Sequence, residues 1–552
     1  MFRNILFCLL IVCTSLSAQK DFYSDYTFTE ADNIRGALNP MRTCYDVYFY
    51  DLNIQIDPTT QTIAGYNDIY YTANNDFSVI QVDLFDNLIV KKILNEENEL
   101  TFEKNQNAIY ITLPLQEKGT KGKVKIYYEG QPIVAKHAPW DGGFVWSEDE
   151  NGKSWIGVAC EGDGASLWWP NKDHLSEEPD SMSIKISVPS DLMCVSNGNL
   201  RNTQVLDNGF TRYDWFVSYP INNYNVTVNI ADYAHFEDTY IAGDGSSLAM
   251  DFYVLKENLT KAKKHFQQVH KTLACFERYF GKYPFWDDGY ALVETPYLGM
   301  EHQGAIAYGN EYMRGYLGSM LPDNMNWDYI IVHETGHEYW GNSISANDHA
   351  EMWIHESFTT YMEALFCECA YSYEDAVHYL ATQKPYIVNK EPILGPLDVN
   401  FQDWQSSDHY YKGAWILHTL RHAINNDAIW FDLLRSFHDK NKISQVTTQD
   451  IISYVNQCTQ RDYTSFFEQY LRYPTIPTFE YRLHQKRKKL CVEYRWNTAV
   501  QTFDMPLLVG KEGQMKTIYP TNEWQSMTLR NTKTKDFLIP TDLFLINTKL
   551  VD

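Results

Sequence analysis

Basic residues are scarce in this chain: 46 Lys and Arg stand against 71 Asp and Glu, a formal net charge of -25 over 552 residues. Recognition of nucleic acid needs clustered Lys and Arg, so this balance excludes it as a partner. The basic run QKRKK at 485–489 lies between strand-like TFEYRL and LCVEYRW and reads as a solvated hairpin turn. Apolar runs of spanning length are lacking as well. At the N-terminus, MFRNILFCLLIVCTSLSAQ carries one Arg, an apolar run from Ile5 to Val12 and small residues through Ala18. That run is shorter than the ~18 residues a membrane span requires, and the layout is that of a signal peptide over residues 1–18. The mature chain is therefore expected to begin near Gln19, to be exported to a periplasm or secreted, and to keep no integral membrane span. No CxxC pair occurs among the remaining cysteines, Cys44, Cys160, Cys194, Cys275, Cys367, Cys369, Cys458 and Cys491, which excludes a zinc ribbon or a CxxC redox motif. Cysteines so dispersed in a long chain are no disulfide scaffold, and most are expected to be small buried hydrophobes.

What is present fits a soluble chain of two to four domains, with 44% hydrophobic and 21% charged residues. Aromatics reach 15%, which suits broad β-surfaces and a lined cleft. From about residue 44 to 240, segments such as YDVYFYDLNIQID, AGYNDIYYTA, SMSIKISVPS and NYNVTVNIADY alternate apolar and polar residues between turn-rich breaks. This is the pattern of an all-β domain. Near 255 the character changes to LKENLTKAKKHFQQVHKTLACFERYFG, which reads as one amphipathic helix ending at Gly281. A mixed segment follows, and then mainly helices, among them NWDYIIVHETGHEYWG, HAEMWIHESFTTYMEALFCECA and YYKGAWILHTLRHAI. After TIPTF at 475–479 strands return. The expected fold class is multidomain α+β: an all-β domain at 19–243, a central domain at 244–474 and a small C-terminal β-domain at 475–552.

The central domain carries the chemistry. On a helix, residues i and i+4 share a face, so His333 and His337 in HETGH can present two imidazole nitrogens to one point. That spacing suits two ligands of a tetrahedral zinc. Glu334, turned about 100° from His333 by the helical period, borders the open position, where it can hold and deprotonate a water. Three residues could complete the site: His349, His355 and Glu356. The longer zincin pattern with a third His fails, because Ser343 occupies that place. His355 and Glu356 are neighbours in MWIHESFTTYMEAL, which reads as a second helix, so both cannot face the metal. Glu356 is the choice, with His355 flanking the site. Glu363, seven residues on and on the same helix face, is expected to orient a ligand His.

HETGHEYWGN, with Glu356 nineteen residues beyond His337, resembles the zinc signature of the aminopeptidase N family of zinc metallopeptidases, which includes leukotriene hydrolase. GMEHQGAIAY at 299–308 is similar to the family's GAMEN segment, and YYKGAWILHTLR at 410–421 resembles its catalytic tyrosine segment. FGKYPF at 280–285, EGDGASLWWPNKD at 161–173 and SVPSDLMCVSNG at 187–198 extend the likeness over most of the chain. The resemblance implies one Zn2+ per chain on His333, His337 and Glu356, with Glu334 as general base. It implies Tyr410, rather than its rival Tyr411, as donor to the oxyanion. Glu301, Glu161, Gly299 and Met300 would bind substrate, the two carboxylates taking a free α-ammonium. The fold implied is a thermolysin-like α+β catalytic domain behind an N-terminal β-saddle or sandwich, with a sandwich-like C-terminal domain. The helical cap common in the family is expected to be missing, since only about 75 residues follow Pro477. The function implied is removal of N-terminal amino acids from peptides by a water held at the zinc. The alternative on the same fold is a zinc endopeptidase; a non-catalytic peptide-binding relative is the remote one. Leu298, Gly299 and His302 stand where the family has Gly, Ala and Asn, and His355 where it has Asn.

Overall fold

The computed structural model describes residues 22–23, 26–402 and 404–552. The expected signal peptide lies outside the described residues.

Alternation of apolar and polar side chains builds the N-terminal domain. Tyr45–Asp57 buries every second residue along most of its length, pairs antiparallel with Thr62–Ala73 and runs parallel to Ser181–Pro189. These strands sit at the centre of an eight-stranded sheet, and a four-stranded and a three-stranded sheet complete the domain. Between the layers lie Trp168 and Trp169 of the LWWP segment, with Tyr50 edge-on to Trp169 at 5.0 Å. NYNVTVNIADY is not one strand, contrary to its pattern: a 3-10 turn at Asn223–Asn225 leads to the short strand Asn229–Ala231. Its polar residues are buried and serve other loops, which alternation along one segment cannot reveal. Asn225 Nδ2, for example, donates to Asn342 Oδ1 at 2.9 Å.

The central domain is built on a five-stranded sheet that begins with the hairpin Tyr233–Ile241 and Ser247–Leu255 and continues through Tyr290–Glu294 and Ile306–Tyr308 to the edge strand Gly299–Met300. The expected boundary at 243/244 therefore falls inside a hairpin of this sheet. Both faces of the sheet are covered, and the strand period of two divides them. Leu248, Met250, Phe252 and Leu292 join the core under the helices, whereas Tyr253, Leu255, Ala291 and Val293 join the core of the N-terminal domain. The amphipathic helix near 255 is two helices, Leu259–His265 and Gln268–Phe280. No Gly or Pro marks the break at Phe266 and Gln267, so composition does not announce it. Gly281 ends the second helix at φ 99°, as read from the sequence.

The remaining helices include Tyr329–His337, Trp353–Ala370, Asp408–Ile424 and Thr464–Arg472. A disulfide joins Cys275 to Cys369 and so ties helix Gln268–Phe280 to the end of helix Trp353–Ala370. Cys44, Cys160, Cys194 and Cys367 are free and buried. The C-terminal domain is a four-stranded sheet with a separate two-stranded ribbon. Its core residues, Phe479, Val492, Trp496 and Phe544 among them, are continuous with the helical core. The basic run turns between strands Thr478–Lys486 and Lys489–Asn497, with Arg487 at φ 52°. No helical cap follows Arg472 among the described residues, and none of their helices is long and apolar enough to cross a membrane.

Candidate metal centre and cleft

Two helices bring the predicted ligands together. Helix Tyr329–His337, the first ligand helix, starts at Asp328, whose Oδ1 accepts the Ile331 N–H and whose Oδ2 accepts the Tyr308 hydroxyl from the central sheet. Helix Trp353–Ala370, the second ligand helix, is buried along nearly all of its length. His333 Nε2 and His337 Nε2 face each other at 3.2 Å, and Glu356 Oε2 lies 3.6 and 3.4 Å from them.

The outer ring nitrogens fix the tautomers. His337 Nδ1 donates to the Trp340 carbonyl at 3.0 Å, and His333 Nδ1 donates to Glu363 Oε1 at 2.7 Å. A carbonyl or a carboxylate only accepts, so both Nδ1 atoms carry protons and both Nε2 atoms aim lone pairs at the same point. Glu356 Oε2 is buried there with no hydrogen-bond partner. Two lone pairs and a carboxylate crowded together demand a cation. The same demand shows in His337: burial alone would lower its imidazole, but the Glu301 and Glu356 carboxylates outweigh burial and hold it at about 9. Two imidazoles and one carboxylate around an open position are a donor set that fits zinc. The anticipated role of Glu363 is present, and its other oxygen accepts the Tyr379 hydroxyl at 2.5 Å and the Gln383 amide at 3.2 Å.

Close backbone approach, rather than side-chain chemistry, explains two glycines of the motifs. A Cβ at Gly413 would lie 1.7 Å from Ser357 Oγ, so only glycine lets helix Asp408–Ile424 abut the second ligand helix one residue past Glu356. Lys412 points away from the cleft and donates to the carbonyls of Tyr473 and Pro474 at 3.2 and 2.8 Å. This packing delivers Tyr410 to the cleft, its ring 6.2 Å from that of His333. At Gly299 a Cβ would lie 2.8 Å from Glu334 Oε1, so glycine there gives the Glu334 carboxylate room against the edge strand.

The cleft has a volume of about 510 Å3. Glu161, Gly299, Met300, Glu301, Glu334 and Tyr410 all line it, as do the three metal-site residues and Tyr411. Glu301 is 3% exposed; its Oε1 accepts the Tyr224 hydroxyl at 3.1 Å and its carbonyl accepts the Asn342 amide at 2.7 Å. Burial first, and the Glu301 carboxylate next, hold Glu161 well above the usual carboxylate range. Burial also raises Glu334 to about 7, against the lowering pull of His333 and His337 and with the support of Glu301 and Glu356. The Tyr410 phenol is kept protonated well above its ordinary value by burial and then by Glu356.

The rival ligands separate cleanly. His349 lines the cleft outside the metal cluster, and His355 is turned toward Glu161 and Glu301. His302 is fully buried and stays neutral, burial pushing it down to about 3. The sequence reading missed Tyr224 and Asn342, which hold Glu301, and Thr359, whose hydroxyl lies 3.3 Å from His337 Nδ1. All three lie inside quoted segments, Asn342 as the last residue of HETGHEYWGN, but nothing in the spacing singled them out.

A buried His-His-Glu centre with a spare carboxylate beside it, set between a β-rich domain and a helical one, defines the class of metallopeptidase folds. The family model described as "Peptidase family M1 domain" matches residues 264–470, and "Peptidase M1 N-terminal domain" matches 47–224. The chain belongs to peptidase family M1. Its relatives include Aminopeptidase N of Haemophilus influenzae, 20% identical over 445 residues that cover 77% of this chain and 49% of that protein. Protein TMA108 of Saccharomyces cerevisiae is 25% identical over 369 residues, 60% of this chain and 38% of that protein. The chain thus spans half or less of the length of these relatives. The M1 zinc metallopeptidase of Deinococcus radiodurans shares the fold, with a TM-score of 0.64 and 19% identity over 78% of this chain and 95% of that one.

Proposed function

We propose that this chain is an exported zinc aminopeptidase that releases N-terminal residues from peptides. His333, His337 and Glu356 would hold the ion, one per chain. Bound there, zinc supplies a Lewis acid that polarises the scissile carbonyl and brings the pKa of a water toward about 7. Glu334 takes the proton of the attacking water and passes it to the leaving amine; a carboxyl raised to about 7 suits both transfers near neutral pH. Tyr410 donates its phenolic O–H to the oxyanion at the attacked carbonyl. Glu301 and Glu161 receive the α-ammonium, and Gly299 and Met300 form the strand edge along which the substrate backbone lies.

The observation that carries the exopeptidase reading is the carboxylate pair Glu161 and Glu301. Glu301 is buried and Glu161 half-buried beside it, with no Lys or Arg among the cleft-lining residues, and ligand atoms of Glu301, Glu334 and His337 lie within 4.8 Å of one another. An ammonium bound between the acids relieves their repulsion and sets the first peptide bond beside the base. The Cys275–Cys369 disulfide supports an oxidising compartment and hence export.

The test is a digest of a mixed peptide library by the zinc-loaded protein, with and without N-terminal acetylation, read by mass spectrometry. Loss of single N-terminal residues from free peptides only is expected. Internal cleavage indifferent to acetylation would make the protein a zinc endopeptidase instead.

A further inference from the structure

The Glu161 and Glu301 pair has a third member, His355, which is buried. Oxygens of both carboxylates and a ring nitrogen of His355 all lie within 4.8 Å of one another. The His355 ring is fully buried and lies roughly parallel to the Tyr224 ring, with centroids 6.5 Å apart. By composition, two carboxylates and an imidazole would suit a second metal ion. The hydrogen bonds argue against it. The Ala346 backbone N–H donates to His355 Nε2 at 2.9 Å. A backbone amide only donates, so the Nε2 lone pair is spent and the neutral ring carries its proton on Nδ1. A protonated ring nitrogen is no metal ligand; it is a hydrogen-bond donor. This Nδ1 is buried without a protein partner, and so is Glu161 Oε1. The two are not bonded to each other, but the side chains approach within 4.8 Å, a gap that one water bridges between an orphan donor and an orphan acceptor.

We propose that His355 is a positioning residue of the amine subsite, its Nδ1–H holding the Glu161 carboxylate opposite Glu301 through one bridging water so that the two acids present fixed oxygens to a substrate ammonium. The inference rests on the aminopeptidase reading above. It also gives a use to two adjacent residues of one helix. Neighbours on a helix point about 100° apart, so Glu356 serves the metal while His355 serves the amine. Glu161 follows strand Ser154–Ala159 of the N-terminal domain, and the contact therefore joins that domain's wall of the cleft to the second ligand helix.

The test uses the zinc-loaded protein and two hydroxamate inhibitors that differ only in the presence of an α-amino group, with binding measured by calorimetry. In the wild type the amine-bearing inhibitor binds more tightly, and the ratio of the two affinities reports amine recognition. His355→Phe should cut that ratio by about tenfold, the order expected for a lost hydrogen bond to a carboxylate, while zinc content and affinity for the amine-free inhibitor stay unchanged. His355→Asn, which keeps a donor, should restore part of the ratio. If His355→Phe does not fold, His355→Met serves as the second variant without a donor. A ratio unchanged in the donor-less variant overturns the proposal, and so does an equal loss for both inhibitors. A wild-type ratio near one overturns the aminopeptidase reading itself, before any variant is made.

Discussion

Replacing Glu363 by Gln probes how the metal centre is held without touching a ligand. The Glu363 carboxylate is fully buried between His333 Nδ1 at 2.7 Å, the Tyr379 hydroxyl at 2.5 Å and the Gln383 amide at 3.2 Å. Gln has the same size and can keep an oxygen toward His333. Its NH2 group then faces Tyr379, whose phenol accepts as well as donates. Gln383 can flip to offer its Oε1, which is unpartnered in the native protein. The network is thus satisfiable after the change, and the metal-free protein should melt within a few degrees of wild type. What disappears is the charge on the acceptor. A charge-assisted hydrogen bond is roughly twice as strong as a neutral one, and the outer partner of a ligating His is worth about 10–100-fold in metal affinity. The expected loss is about 1.4–2.7 kcal/mol of zinc binding. Competition with a chromophoric chelator measures it, with melting of the metal-free protein as control. Zinc affinity within about twofold of wild type would refute the reasoning, because the bond to Glu363 would then contribute nothing to the basicity of His333.

Glu334→Gln should lower kcat by about 10²–10⁴ and Tyr410→Phe by about 10²–10³, each with zinc content unchanged; metal analysis beside steady-state kinetics checks both. Gly413→Ala forces a Cβ to within 1.7 Å of Ser357 Oγ, so it should cost about 1–3 kcal/mol in thermal unfolding, part of which Ser357→Gly restores. His438 packs against Phe280 and Tyr339, and burial followed by Lys442 lowers it to about 4. Its unfolded form binds a proton below about 6.5 while the native form does not, so its share of stability is full above pH 6.5 and lost as pH falls toward 4, on the order of 3 kcal/mol. His438→Phe should flatten the acid limb of a melting temperature versus pH series; an unchanged slope would count against the assignment.

The metal half of the site was legible because its parts sit on two helices. A period of 3.6 residues decides which side chains of one helix share a direction, which is enough to pair His333 with His337 and to rule out Glu356 and His355 both facing the metal; the choice of Glu356 came from the family resemblance. Helix facing also reached Glu363. The strands of the N-terminal domain were readable for a like reason, Tyr45–Asp57 falling where its alternation placed it. Period says nothing about which elements meet. Tyr224 lies 77 residues from Glu301, and Cys275 lies 94 from Cys369. Strand Tyr233–Ile241 looks like its predecessors, and only its partner, Ser247–Leu255, assigns it to the central sheet. The hydrogen bond from Ala346 leaves His355 with its proton on Nδ1, a matter of tautomer that no spacing encodes.

The central sheet has no free face, one side feeding the helical core and the other the core of the first domain. The central domain is therefore not a removable module. Deleting the first domain would bare Tyr253, Leu255, Ala291 and Val293 to water, and it would also take away Glu161 and Tyr224. In the proposed enzyme the metal belongs to one domain, but the grip on the peptide's amine is shared: Glu301 comes from the same domain and Glu161 reaches in from the other.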